Sequence, residues 1–160
     1  MLQTGLMDAS WLPHLIDIAI AYALALPIGW DREEADRSAG LRTFPLVAVA
    51  SCSFILATES IMIGHPEGRA RIIEGVITGI GFIGGGAILK TERAVRGTAT
   101  AASLWATASI GVATGLRSYE VAIMMAAVTF ATLRFLAPWK PRIAKHAADS
   151  GDGADHEDES

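Results

Sequence analysis

Gly79, Gly81 and Gly84 stand at the spacing G-x-G-x-x-G within TGIGFIGGGAILK, Thr78 to Lys90. That spacing belongs to the turn that lays a dinucleotide pyrophosphate on a helix N-terminus. The chemistry requires a strand before the turn and an acidic residue about 20 residues later to hold the ribose. Neither requirement is met. Ile72 to Thr78 includes Glu74 and Gly75, which suit a strand poorly, and no Asp or Glu lies between Arg93 and Tyr119. The sequence also lacks a G-x-x-x-x-G-K-[ST] phosphate loop, an H-E-x-x-H pair and any Cys/His cluster, so the reading is a non-enzymatic chain without a cofactor.

Ionisable residues form two groups that could do other chemistry. Asp17, Glu59 and Glu74 stand in otherwise apolar surroundings, with Arg69 and Arg71 near enough in sequence to neutralise them. They read as a structural ion-pair cluster made with Arg71, or as an oxygen-ligand site for magnesium or a proton. The metal itself is not specified. Asp31, Arg32, Glu33, Glu34, Asp36, Arg37 and Arg42 crowd one short stretch, and its plainest role is a solvated, topology-setting loop. Thr100, Ser103, Thr107 and Thr114 make a hydroxyl stripe suited to hydrogen bonds between helices. Nothing specific is expected of His14 or His65.

The elements that carry these residues are long apolar blocks. Hydrophobic residues make up 51% of 160, and the mean hydropathy is +0.38. Crossing a bilayer takes about 20 mostly apolar residues. Five blocks qualify, at 11–30, 44–64, 72–89, 98–116 and 119–137, and they leave no room for a sizeable soluble domain. The expected fold is an all-α integral membrane bundle of about five transmembrane helices, here residues 11–137. Residues 1–10 form a short outer N-terminus, and 138–160 an acidic, disordered cytoplasmic tail. No Lys or Arg occurs in residues 1–10, which argues against a cleaved signal peptide. The single cysteine, Cys52, reads as a small buried hydrophobe.

Basic residues set the orientation. Arg32, Arg37, Arg42, Lys90, Arg93, Arg96, Lys140, Arg142 and Lys145 fall on one side, and Arg69, Arg71 and Arg117 on the other. The richer side is expected inside, so the N-terminus is outside and the C-terminus inside. Ser10, Thr43 and Ser118 precede helix starts and read as caps, while Pro138 and Pro141 stop the last helix. Gly75, Gly79 and Gly86 share one face of the third span, and Gly81, Gly84 and Gly85 another. Helices in lipid approach closely through small residues. The third span is therefore expected at the centre of the bundle, with these six glycines as packing sites.

Three stretches, GLRTFPLVAV (Gly40–Val49), RIIEGVITGIGFIGGGAILK (Arg71–Lys90) and VRGTATAASLWATASIGVATGL (Val95–Leu116), closely resemble the MgtC/SapB family. GWDREEADRSAG, Gly29 to Gly40, fits the same family's first loop. The resemblance covers about residues 15–135. It implies a multi-pass bacterial inner-membrane protein linked to magnesium limitation, intracellular survival or acid tolerance. Such proteins act as regulators of membrane machines, including the F-type ATP synthase or a cation-transport ATPase. Expected partners are thus the lipid bilayer, another membrane protein and copies of the chain itself, but not nucleic acid. The alternative is an oligomeric cation channel or carrier. Asp31, Arg32, Arg42 and Thr43 match the family motif at the loop–membrane junction, where Asp31 could pair with Arg42 or Arg96. Asp31 replaces the family's more common Glu, and Gly75 its frequent Gln. The acidic tail stands where many members carry a folded cytoplasmic domain.

Overall fold

The computed structural model describes residues 11–35, 39–59, 65–90 and 95–136. Among the described residues the regular structure is helical apart from one short ladder. Helix α1 spans Leu12–Glu34, α2 Thr43–Ala57, α3 Pro66–Gly86, α4 Thr98–Gly115 and α5 Tyr119–Phe135. Each expected apolar block holds one helix. Between α3 and α4, strands β1 (Leu89–Lys90) and β2 (Val95–Arg96) pair antiparallel, with Leu89 opposite Arg96. The expected outer N-terminus at 1–10, the end of the second block at 60–64, Arg37, Arg93, the stop signals Pro138 and Pro141 and the acidic tail lie outside the described residues.

Among the described residues, α1 is the one helix both long and apolar enough to cross a bilayer by length and composition alone, and α2 is a shorter apolar helix. Alpha1 also runs past the expected end at Trp30, so Asp31 to Glu34 form its last turn and not a loop. The caps differ from expectation too. Thr43 is the first residue of α2, and Arg42 precedes it. Ser118 takes the position before α5, but its side chain makes no capping bond; its carbonyl accepts from the Val121 and Ala122 amides at 3.1 Å each.

The central helix is α4, not α3. Alpha4 touches each of the other four helices and buries ten of its residues. Its composition explains why. Thr, Ser, Ala and Gly occur on all sides, so neighbours can approach from every direction. The tightest seam is Gly111-x-x-x-Gly115 against α2. A Cβ at Gly111 would stand 2.8 Å from the Ser51 Cβ, and one at Gly115 2.8 Å from the Ile55 Cβ. Gly29 on α1 is close to Leu41 and Phe44 in the same way.

Alpha3 lies at the edge, where only Ile80 and Gly84 are buried. A Cβ at Gly75, Gly79, Gly81, Gly85 or Gly86 would meet nothing within 4 Å, and Gly84 alone contacts α4, at Ala101. Of the six expected packing glycines, one packs within the chain. The others sit on the side of α3 that faces away from it. Gly97, which starts α4, has φ of 88°, a conformation that suits glycine, and any Cβ there would collide with the Ala87 carbonyl.

Two core clusters fill the interior. One is built around Ile28, Phe44, Leu104 and Ile110, and the other around Ala21, Ala25, Ala48 and Cys52. The hydroxyl stripe of α4 is buried, but the bonds seen do not bridge helices. Ser103, Thr107 and Thr114 donate to the carbonyls of Thr100, Ser103 and Ile110 in their own helix, at 2.8–2.9 Å. Such back-bonding satisfies a hydroxyl where no cross-helix acceptor is in reach.

Candidate functional site

Ionic clusters occupy the two ends of the bundle. Asp17 and Asp31 are 14 residues apart on α1, about 21 Å at the helical rise.

The first cluster centres on Asp17, which is 1% exposed. Its Oδ1 accepts from the Tyr119 hydroxyl at 2.5 Å, and its Oδ2 from the Arg117 Nε at 3.3 Å. Arg117 also forks onto Glu59, with Nη1 3.1 Å from Oε1 and Nη2 3.4 Å from Oε2. The Nε2 of His14 lies 3.4 Å from the same carboxylate. The guanidinium thus joins the start of α1, the end of α2 and the turn into α5. Charge-assisted fork geometry is the stronger kind of hydrogen bond. The Asp17 bond, followed by the Glu59 charge, holds Arg117 above its ordinary range, so it stays a cation.

Local backbone aims this arginine. The Ser118 amide donates to the Ala113 carbonyl and the Arg117 amide to that of Thr114, both at 2.9 Å. This pair of bonds ends a helix with a left-handed residue, normally glycine. Arg117 takes that place with φ of 58°, the one non-glycine positive φ among the described residues. A strained conformation is kept where the surroundings over-determine it, and here two carboxylates do so.

The expected outer group was Asp17, Glu59, Arg71 and Glu74. The structure unites the first two through Arg117, with His14 and Tyr119 added. Arg71 and Glu74 stand exposed on α3, apart from them. The misassignment has a simple cause: Arg71 and Glu74 are near in sequence, whereas Asp17 and Arg117 are 100 residues apart. The guanidinium bridges the two carboxylates, with Nε on Asp17 and both Nη atoms on Glu59. Among the described residues, no three His, Cys, Asp or Glu side chains are grouped as metal ligands.

The second cluster closes the other end. Arg32, 4% exposed, bonds the Asp31 carboxylate beside it through Nε at 3.1 Å and Nη2 at 2.5 Å. Arg134 of α5 lies 3.9 Å from Asp31 and 3.3 Å from Glu34. Nearby, Glu33 accepts from the Leu41 amide at 3.1 Å, which ties the end of α1 to the start of α2. Gly40 lies against the Glu33 side chain, where a Cβ would clash. Asp31 therefore pairs with Arg32 and Arg134, and not with Arg42 or Arg96. Arg42 and Arg96 are exposed and Thr43 is half-buried. Arg134 stands near the end of the fifth apolar block. Its contact with Asp31 spans 103 positions, and nothing local announces it.

Comparison with known proteins places this arrangement among relatives. The sequence profile of the MgtC family matches residues 18–141. The protein MgtC of Salmonella typhimurium (strain LT2) is 40% identical over 111 residues, 69% of this chain and 47% of its own length. SrpB of Synechococcus elongatus is 32% identical over 140 residues, 80% of this chain and 77% of SrpB. YhiD of Escherichia coli (strain K12), named as a candidate magnesium transporter, is 35% identical over 133 residues, 79% of this chain and 60% of YhiD. The chain spans about half the length of the MgtC proteins it matches. No solved structure matches it.

Proposed function

We propose, from the premise that this chain belongs to the MgtC family, that it is a multi-pass inner-membrane protein which regulates another membrane protein when magnesium is scarce. In this reading all five helices cross the bilayer, with the Asp17–Arg117 end outside and the Asp31–Arg134 end inside. The link to magnesium rests on the family resemblance and on the name that YhiD carries. One observation supports a regulator over a carrier. Between the ionic ends, the interior of the bundle is packed with apolar groups such as Ala21, Ala25, Ile28, Leu104 and Ile110. The α4 hydroxyls in that stretch are fixed by donating to their own backbone. A cation crossing the monomer would meet hydroxyl oxygens there but, among the described residues, no buried carboxylate between Asp17 and Asp31 to replace its hydration shell. Both clusters are latches at the bundle ends, suited to hold a surface for a partner: one sets two carboxylates on Arg117, and the other balances Asp31 and Glu34 with Arg32 and Arg134.

Reconstitution provides the test. Purified chain in liposomes that enclose a magnesium-sensitive dye is expected to leave the lumen signal unchanged. Affinity purification from magnesium-starved membranes is expected to recover a membrane ATPase. Magnesium entry that depends on Asp17 would sink the regulator reading. It would favour the second one, an oligomeric cation carrier, which the name of YhiD supports. In that case the path would run between copies.

A further inference from the structure

Beside the Asp17 cluster lies an open cavity of about 280 Å³, lined by Leu12, Pro13, Ile16, Asp17 and Tyr119. Its walls come from the start of α1 and the start of α5. Spacing on α1 explains the lining. Leu12 and Ile16, and likewise Pro13 and Asp17, are four apart, so two adjacent rows of that helix face the space. Leu12 and Ile16 form a half-exposed rim, while Asp17 is buried. The volume falls just under the roughly 300–1,000 Å³ of drug-sized ligand sites, so the cavity admits a small molecule.

The chemistry of this lining is one-sided. Tyr119 gives its hydroxyl proton to Asp17, which leaves the phenol oxygen with lone pairs alone. A carboxylate has about four lone-pair sites, and the bonds from Tyr119 and Arg117 engage two of those on Asp17. The polar side-chain atoms of the lining are therefore acceptors, and its other side chains, Leu12, Pro13 and Ile16, are aliphatic. Charge points the same way. Arg117 serves Asp17 and Glu59 together, so the cluster carries one negative charge in excess while His14 is neutral. Buried negative charge calls for a cation beside it.

A divalent metal matches this wall poorly. Magnesium and calcium surround themselves with about six or more oxygens, and only Asp17 and Tyr119 bring side-chain oxygen to the cavity. A primary ammonium on an aliphatic chain matches all of it. Its N–H groups donate and accept nothing, its single charge balances the excess, and its methylenes cover Leu12, Pro13 and Ile16. We propose that this cavity binds a primary ammonium group carried on a short aliphatic body. Such a group has two sources at this end of the bundle, a free alkylamine in water or the ethanolamine headgroup of a phospholipid. The site rests on the Asp17 cluster, and the membrane-spanning reading above enters only through the lipid source.

Melting of the purified full chain in a neutral detergent, at constant ionic strength, tests it. Butylammonium chloride should raise the melting temperature by a few degrees, because a ligand held by the folded state stabilises it by mass action. Butanol, tetramethylammonium chloride and magnesium chloride should not. Asp17→Asn should abolish the response. Ile16→Trp should abolish it too, by filling the cavity from its rim while the Asp17 bonds stay in place, so the test survives an Asp17→Asn chain that fails to fold. Nanodiscs separate the two sources. Higher melting in phosphatidylethanolamine than in phosphatidylcholine, lost in Ile16→Trp and with nothing left for butylammonium to add, assigns the site to the headgroup. Equal melting in both lipids, with a further rise on adding butylammonium, assigns it to the free amine. A rise that butanol or magnesium reproduces, a rise that survives either variant, or no rise in any arm would overturn the ammonium site. A chain that does not enter the discs would bring down the membrane reading, while the detergent arm still decides the site.

Discussion

Asp17 and Arg117 form one ion pair, yet they stand to lose different things. Arg117 keeps 44% of its side chain in water, whereas Asp17 is buried. Removing the arginine leaves a buried charge without its cation, while removing the aspartate leaves a cation that water can solvate. Arg117→Ala should therefore lower the detergent melting temperature more than Asp17→Asn does, and combining the two should recover part of the loss. Arg117→Gly should fall between wild type and Arg117→Ala, since glycine relieves the left-handed backbone without restoring the charge. Equal melting of Arg117→Ala and Asp17→Asn would contradict this asymmetry. The second cluster makes a parallel case. Asp31→Ala strands a buried Arg32, at a cost of about 3–5 kcal/mol, while exposed Arg42→Ala should stay within about 0.5 kcal/mol. Urea titration in mild detergent would compare them. An Asp31/Arg42 charge swap should not rescue function, because the two side chains are not partners. At this scale the sequence singled out Asp17, Glu59 and Glu74 as out of place in apolar surroundings and Asp31 at the loop–membrane junction. It did not reveal the partners of Asp17, Glu59 and Asp31, since Arg117 and Arg134 reach them across 58 to 103 positions and only folding brings those positions together.

Helices were far more legible than their arrangement. An apolar run of roughly 15–20 residues dictates a helix wherever the backbone must bond itself, and all five appear where the runs are. Their order of centrality was misread because glycines were counted on α3, where they are most numerous. Abundance does not reveal which side of a helix meets a neighbour. The better signal was present in α4, where small residues cover every face and Gly111 and Gly115 are four apart. The two glycine sets should behave oppositely. Gly111→Val drives a branched side chain into α2 and should destabilise by at least the 1–3 kcal/mol or so of an overpacked core. Gly79→Leu meets open space in its own chain and should melt within a few degrees of wild type. Fluorescence-detected size exclusion after heating would read both. A collapsed Gly79→Leu beside an intact Gly111→Val would return α3 to the centre.

For the molecule as a whole, contacts define direction. Asp17 meets Tyr119 at one end, and Asp31 and Glu34 meet Arg134 at the other, so α1 and α5 run parallel. His14 at the start of α1 faces Glu59 at the end of α2, so those two are antiparallel. Gly84 of α3 meets Ala101 of α4, near the end of one and the start of the other, which continues the alternation. The end of α1, the start of α2, the end of α3, the start of α4 and the end of α5 therefore share one end, and with it Arg42, Lys90, Arg96 and Arg134. Of the described basic residues, the opposite end holds Arg69, Arg71 and Arg117. The Arg117 charge is spent on two carboxylates and the Arg134 charge on Asp31 and Glu34, which leaves Arg42, Lys90 and Arg96 at one end against Arg69 and Arg71 at the other. Cytoplasmic retention follows uncompensated Lys and Arg near span ends, so in the membrane-spanning reading proposed above the Arg134 end is expected in the cytoplasm. Alkaline phosphatase fused after Ser160 should then be inactive, and green fluorescent protein at the same place should fluoresce. Phosphatase inserted after Arg117 should be active. Adding two lysines beside Ser118 should weaken that preference, since it raises the free charge of the outer end without touching the interior. Fusions with the reverse pattern at Ser160 would invert the molecule and place the Asp17 latch, not the Asp31 junction, on the side that meets cytoplasmic partners.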